Sequence, residues 1–188
     1  MSLRVISGEA RGRKLKSVPG DITRPITDRA KESLFNILAG DVVDSQWWDV
    51  FGGTGAVGIE AISRGASFVR FSERERLAVD TIRWNLDHCR FSDRAEIRRG
   101  DAFALLAAAA DRRFDYVYIA PPQYKGMWSQ AVAVLDENPG WLSDDFEVIV
   151  QIAPKEYESL DLVNLVEFDQ RKYGTTLLVF YERKDGAS

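Results

Sequence analysis

Apolar and polar positions along this chain follow two alternating rhythms. Short apolar runs, the mark of buried strands, alternate with stretches where apolar residues recur every three or four positions, the mark of amphipathic helices. Trp47 to Phe51, Ser67 to Phe71, Ala95 to Arg99, Phe114 to Ile119 and Phe146 to Ile152 predict strands. A first helix is expected from Thr27 or Asp28 to about Leu38, with Ala30, Leu34, Ile37 and Leu38 on its apolar face and Gly40 as its stop. Further helices are expected up to Gly65, over Glu75 to Cys89 with Ala78, Ile82, Leu86 and Cys89 inward, over Ala102 to Ala110 and over Met127 to Asp136. Strand–helix alternation predicts a parallel sheet with helices on both faces. Leu165 to Tyr173 and Thr175 to Tyr181, separated only by Gly174, predict a hairpin, so the sheet ends with an antiparallel strand. Upstream, Leu3 to Ile6 and Arg13 to Val18 flank a turn punctuated by Gly8 and Gly12, which predicts a small hairpin. There is no internal repeat and no linker. Residues 1–188 read as a single domain, with residues 1–26 as a basic hairpin extension.

One stretch breaks the rhythm. Between the first strand and its helix run Asp49, Val50, Phe51, Gly52, Gly53, Thr54, Gly55, Ala56, Val57 and Gly58. Glycines admit positive φ and let backbone approach a ligand closely. The helix start behind them offers free N–H groups and partial positive charge. Gly53-x-Gly55-x-x-Gly58 fits the dinucleotide pattern, and Glu73 follows about twenty residues on, suited to a ribose hydroxyl. Two ligand classes compete for such a turn, a nicotinamide dinucleotide and S-adenosylmethionine. Asp49 favours the second. A carboxylate before the turn opposes a pyrophosphate but complements an ammonium and a sulfonium. Ligands in parallel sheets bind beyond the strand carboxyl ends. Asp49, Glu73, Asp101 and Ala120-Pro121-Pro122 all lie at or near such ends.

Composition narrows the chemistry. The chain has 188 residues, 45% hydrophobic and 29% charged, which suits a soluble globular domain. No run approaches the roughly 20 apolar residues of a membrane span, and no apolar signal region follows Met1, so a cytoplasmic protein is expected. One cysteine, Cys89, and one histidine, His88, exclude disulfide frameworks and Cys/His metal sites by count; no metal is expected. Neighbours on a helix point about 100° apart, so this pair is not read as catalytic. The net charge is −4, yet residues 1–36 carry eight Lys/Arg against four Asp/Glu, a balance of +4 that leaves −8 for the rest. A basic segment on an acidic chain predicts a localised anion-binding surface. Arg11, Arg13, Lys14, Lys16, Arg24 and Arg29 are its candidate anion contacts; a solvated tail is the competing reading.

The second chemical stretch is Ala120-Pro121-Pro122-Gln123-Tyr124. Two prolines stiffen it and remove two N–H donors, leaving carbonyls as acceptors. Tyr124 adds a flat ring. Acceptors beside a ring suit a planar amine; a plain strand-to-helix loop is the alternative.

Together these motifs resemble a class I, Rossmann-like S-adenosylmethionine-dependent methyltransferase acting on an exocyclic amine. More narrowly, the chain resembles the RsmD-like family of bacterial small-subunit rRNA guanine-N2 methyltransferases. The likeness runs through Arg4-Val5-Ile6-Ser7-Gly8, Arg24-Pro25-Ile26-Thr27-Asp28-Arg29, Phe35-Asn36-Ile37-Leu38, Asp49 to Gly58, Gly100-Asp101, the Pro-Pro loop and Lys172-Tyr173-Gly174-Thr175-Thr176. The resemblance implies a seven-stranded, mostly parallel sheet in the order 3-2-1-4-5-7-6. It implies a cofactor site of Asp49, Gly52, Gly53, Thr54, Gly55, Glu73, Arg74, Asp101 and Ala102. Glu73 would take the ribose hydroxyls and Asp101 the adenine amine. It implies a catalytic loop of Ala120, Pro121, Pro122 and Tyr124, and ribosomal RNA or the small-subunit particle as partner. Two departures stand out. The family usually has Ala where this chain has Gly52. It usually has Asp or Asn before Pro-Pro, where this chain has Ala120, with Gln123 as an extra residue before Tyr124. Another methyl acceptor (DNA, tRNA or a protein amide) and a cofactor-binding protein with lapsed catalysis are the alternatives.

Overall fold

The computed structural model describes residues 2–20 and 25–187. Seven strands form one sheet: β1 Gln46–Asp49, β2 Phe68–Glu73, β3 Ala95–Arg99, β4 Phe114–Ile119, β5 Leu142–Ile152, β6 Leu165–Tyr173 and β7 Thr176–Arg183. Their order is β3-β2-β1-β4-β5-β7-β6. The pairs among β1 to β5 are parallel, and β7 runs antiparallel to both β5 and β6. The helices are α1 Asp28–Leu38, α2 Ala56–Ser63, α3 Arg76–Cys89, α4 Ala102–Ala107 and α5 Met127–Glu137. Among the described residues, no helix is long and apolar enough to cross a membrane.

Adjacent tryptophans show how the layers are made. Successive side chains of a strand point to opposite faces. Trp47 stacks on Phe35 of α1 in the cluster that includes the inner faces of α2 and α3, while Trp48 packs on Trp141 in the cluster that holds Leu106 of α4 and Trp128 of α5. At β1 both faces of the sheet are therefore dry, as a central parallel strand requires.

Several boundaries differ from the sequence expectation, each for a local reason. On α1, Phe35 turns inward and Ile37 is 37% exposed, so Phe35 and not Ile37 belongs to the apolar face. The helix stops at Leu38 because Ala39 adopts φ 48°; Gly40 falls inside the short 3-10 turn that follows. Helix α4 stops at Ala107, not Ala110. Asn138 donates to the carbonyls of Leu106 and Ala108, and the Trp141 indole to Leu106, which gives those carbonyls tertiary partners in place of a longer helix. β5 starts at Leu142, four positions before Phe146, across an irregular register with β4. The β6–β7 turn has two residues, Gly174 at φ 59° and Thr175.

The N-terminal segment makes a single Arg4–Lys14 bridge instead of paired strands, supported by Leu15 N–H to Leu3 O and Val5 N–H to Arg13 O. It is no solvated tail. Leu3, Val5, Ala10 and Leu15 are buried, and a Cβ on Gly8 would stand 1.9 Å from the Ser63 carbonyl oxygen at the end of α2. Glu60 of α2 accepts from the N–H groups of Ile6 and Ser7 and faces the Lys31 ammonium at 3.6 Å, both side chains wholly buried. Lys31 also donates to Arg4 O at 2.6 Å. Lys31, counted among the basic residues of this segment, is therefore a structural clasp.

Candidate active site

The glycine turn lies where β1 ends. Asp49 is buried, and its Oδ1 finds no hydrogen-bond partner among the described residues. Burial pushes its carboxyl well above the ordinary carboxylate range; the Gly58 backbone N–H pulls it down, and the neighbouring charge of Glu73 pushes it up again. Gly53 and Gly55 take φ 56° and 79°, conformations that disfavour any residue with a Cβ. At Gly53 an added Cβ would meet no atom within 4 Å, so one side of the turn is open to an incoming group. Gly58 serves packing: a Cβ there would stand 2.4 Å from the Phe71 ring. Gly52 has ordinary φ, and a Cβ on it would press the Ile82 side-chain tip at 2.8 Å. That matches the departure noted at this position.

Glu73 ends β2, and its carboxylate is already engaged. It accepts from Gly53 N–H at 2.9 Å, Arg74 N–H at 2.8 Å and Glu75 N–H at 2.9 Å. A carboxylate has about four acceptor sites, so about one remains for a ligand. Asp101 follows β3 and caps α4, its Oδ1 accepting from Ala104 N–H at 3.0 Å. Gly100 N–H donates to Glu73 O at 3.0 Å, which ties the ends of β2 and β3 together. Asp49, Glu73 and Asp101 thus come to one edge of the sheet, with Thr54 half-buried and Ala102 buried beside them; Arg74 is exposed. The orphaned buried carboxylate oxygen suits a positively charged group, and the helix start without a side-chain cap, behind an unobstructed glycine, offers N–H groups to a ligand's oxygen atoms.

The Pro-Pro loop leaves β4 on the other flank of β1. Val50 N–H donates to Tyr118 O at 3.0 Å, so the two strand ends are clamped. Tyr118 is buried and hydrogen-bonded to Gln151; burial, and then the charge of Asp49, push its hydroxyl up. Ala120 and Pro121 are half-buried, while Pro122, Gln123 and Tyr124 are exposed. Tyr124 is 69% exposed and sits at φ 62°, an uncommon conformation for a residue with a side chain. Its N–H donates to Glu156 at 2.6 Å, and Glu156 also accepts from Ala153 N–H. Glu156 tethers the loop to the end of β5, a role without a sequence signal.

The basic residues divide. Arg11, Lys14, Lys16 and Arg29 are exposed. Arg13 donates to His88 O at 2.7 Å, and the Lys16 ammonium lies 3.8 Å from the Trp84 ring centre. Arg24 lies outside the described residues. His88 stacks on Trp84, and Cys89 is a core residue whose thiol burial pushes up. Among the described residues, no group of His, Cys, Asp and Glu is arranged to hold a metal ion. Asn85 is a second missed residue. It stands in the apolar stripe of α3 beside Ile82, Leu86 and Cys89, and a polar residue at an inward position was the available signal.

Known proteins resemble this chain over most of its length. The family described as "Conserved hypothetical protein 95" matches residues 3–182. A Bacillus subtilis protein named "Putative rRNA methyltransferase YlbH" is 35% identical over 97% of this chain and 100% of its own. The Escherichia coli K12 protein named "Ribosomal RNA small subunit methyltransferase D" is 35% identical over 79% of this chain and 74% of its own. A solved E. coli structure, "Putative methyltransferase yhhF", superposes with a TM-score of 0.86 at 31% identity, covering 98% of this chain and 99% of that one. The sheet order and these neighbours establish the class I, Rossmann-like methyltransferase fold. The chain belongs to the Conserved hypothetical protein 95 family, the RsmD family of methyltransferases.

Proposed function

We propose that this chain transfers a methyl group from S-adenosylmethionine to the exocyclic N2 amine of a guanine in small-subunit ribosomal RNA, a cytoplasmic reaction on RNA or on the particle. The observation that carries the reading is Asp49: a buried carboxylate with an unpartnered oxygen beside an open glycine turn. A buried charge is costly unless a partner compensates it. A cationic ligand would do so. A pyrophosphate would not, and it would find Gly53 N–H already held by Glu73. The names of the relatives supply the RNA half of the proposal.

When bound, S-adenosylmethionine supplies a methyl group already activated by its sulfonium. Asp49 would hold the cationic end, with Gly52, Gly53, Thr54 and Gly55 against the same part of the ligand. Glu73 would accept from ribose with its remaining capacity, its other lone pairs holding the turn rigid. Asp101 would accept from the adenine amine with the oxygen that does not cap α4; the Ala102 N–H would read a ring nitrogen and Arg74 would line the rim. The task left to the protein is alignment. The guanine must leave its stack. Carbonyls of Ala120, Pro121 and Pro122 would accept from its N2 amine, and Tyr124 would stack on the base. Arg11, Arg13, Lys14, Lys16, Arg24 and Arg29 would hold phosphates without reading sequence.

The test has two stages. Calorimetry should show S-adenosylhomocysteine binding and no NAD binding. Tritiated methyl transfer to small-subunit rRNA or particles, with mass mapping of the product, should then place the methyl on a guanine N2. Ala120 favours a second reading, a lapsed catalyst lacking the usual side-chain oxygen. Ala120→Asn separates the two. If loop carbonyls suffice, wild type is active and Ala120→Asn changes its rate little. Silence from wild type with brisk transfer by Ala120→Asn would establish the lapsed catalyst. A single aligned catalytic hydrogen bond is worth roughly 3 kcal/mol, about a hundredfold in rate.

A further inference from the structure

Asn85 is wholly buried on α3, and its side-chain amide makes three hydrogen bonds. Its Oδ1 accepts from Lys16 N–H at 2.8 Å. Its Nδ2 donates to Lys16 O at 3.1 Å and to Thr54 O at 2.9 Å. The amide thus pairs with both main-chain groups of Lys16, as a neighbouring strand would, and spends its remaining N–H on the glycine turn. Thr54 stands between Gly53 and Gly55, the two turn residues at positive φ. Lys16 stands in the basic N-terminal segment, its ammonium over Trp84 of the same helix, one turn from where Arg13 meets His88.

We propose that Asn85 is a positioning residue that makes the basic segment and the cofactor turn one hydrogen-bonded unit, so that RNA and cofactor bind cooperatively. This rests on the functional reading above, which assigns RNA to the segment and S-adenosylmethionine to the turn. Moving the main chain at Lys16 breaks two of the three bonds and strands a buried amide, which is costly. Moving Thr54 strands the third. A ligand that fixes either element therefore lowers the cost of fixing the other, and linkage makes the effect reciprocal. Neither ligand needs to touch Asn85.

The affinity of S-adenosylhomocysteine should be measured calorimetrically on the full chain, alone and with saturating small-subunit rRNA transcript. Wild type should bind it about tenfold more tightly with RNA, within the usual range of coupling. In Asn85→Ala the ratio should fall to near one. A merely structural asparagine would weaken both affinities alike and leave the ratio unchanged, which would overturn the proposal. Wild type alone gives a second measure that needs neither RNA nor a variant. Amide hydrogen exchange at Lys16 should slow when S-adenosylhomocysteine binds, although Lys16 is outside the proposed cofactor site. Binding of S-adenosylhomocysteine with unchanged exchange at Lys16 would overturn the coupling and leave the functional reading standing. No binding of S-adenosylhomocysteine to wild type would overturn both.

Discussion

Asp49 allows a prediction in which stability and binding move in opposite directions. Replacing it by Asn keeps the shape and removes the charge. The folded chain raises the Asp49 pKa above its unfolded value, chiefly by burial. The sign follows from linkage: below the unfolded pKa of about 4 the group is neutral in both states and costs nothing. As pH rises the unfolded chain ionises first, so a destabilisation develops and is complete above the folded pKa. Asp49→Asn removes that penalty. An unsatisfied buried polar group costs about 1–3 kcal/mol, more when charged; because Asn still leaves a polar group short of partners, a net gain of about 1–2 kcal/mol is expected. For a chain of 188 residues that corresponds to roughly 2–8 °C in Tm at neutral pH. The advantage should disappear near pH 4. Binding should change the other way. A hydrogen bond to a charged partner is worth about 1.5–3 kcal/mol, so S-adenosylhomocysteine should bind roughly 10- to 150-fold more weakly. Thermal melts of ligand-free protein from pH 4 to 8, beside calorimetry at neutral pH, measure both. A variant less stable than wild type at neutral pH and binding with full affinity would refute the reasoning, because Asp49 would then be a structural acid.

Three further substitutions probe other parts of the structure. Asp101→Asn should weaken S-adenosylhomocysteine binding about fivefold while leaving Tm nearly unchanged, since Asn caps a helix as well as Asp does and one hydrogen bond is worth on the order of 1 kcal/mol; unchanged affinity by calorimetry would remove Asp101 from the site. Replacing Arg11, Arg13, Lys14 and Lys16 together by Ala should flatten the slope of log affinity for RNA against log salt by about three to four, and an unchanged slope in filter-binding titrations would place the RNA elsewhere. Arg70, buried beneath Trp48, Phe114 and Trp141, pairs with Glu96 at 2.8 Å and with Asp111 at 2.9 Å. Breaking a buried pair costs about 3–5 kcal/mol, and the solvent exposure of both carboxylates reduces that to about 1–3 kcal/mol for Arg70→Met at pH 7. Hydrogen bonding to Arg70 holds Asp111 down to about 2. Its contribution is present above the unfolded pKa of about 4 and fades as pH falls towards the folded value. The gap between wild type and variant in urea denaturation should therefore narrow between pH 4 and 2; a gap of constant size would assign it to packing alone.

How much of this was legible in the sequence depends on whether a feature is local. β3, β4 and β6 begin and end where the sequence pattern places them, and for β4 the reason is plain: a parallel strand buried on both faces is written as one apolar run. The glycine turn was legible because it too is local: positive φ at Gly53 and Gly55 favours residues without a Cβ. What escaped depends on contacts between distant segments. Nothing near Ala107 says that Asn138 and Trp141 take up the carbonyls at the end of α4. Lys31 is one of the eight Lys/Arg in the count for residues 1–36, but its partner Glu60 stands on another helix and both are wholly buried, so its charge never reaches the surface. Asn85 and Glu156 were missed because each is one polar residue whose partners lie 69 and 32 positions away.

On the proposed assignment, the cofactor half and the substrate half of the site meet different physical demands, and the difference bears on Ala120. The cofactor half is stiff. Phe71 excludes a side chain at Gly58, Ser72 O holds Gly52 N–H, and Glu73 fixes three N–H groups around the turn. Little conformational freedom remains there to be lost on binding. The substrate half is loose by comparison: from Pro122 to Gly126 the loop is exposed, and its hydrogen-bonded tether is the Tyr124 N–H on Glu156. An incoming base would have to order Gln123 and Tyr124, at roughly 0.5–1.5 kcal/mol for each immobilised side chain. Stacking on an aromatic ring is worth about 1–3 kcal/mol per base, enough to offset that cost. The prolines limit it further, since φ is set in advance at Pro121 and Pro122. In such a loop, acceptors carried by the main chain are the ones already in place before the base arrives. A side-chain oxygen at position 120 would add one acceptor to the main-chain carbonyls proposed to hold the amine, and a methyl group in its place removes none of them.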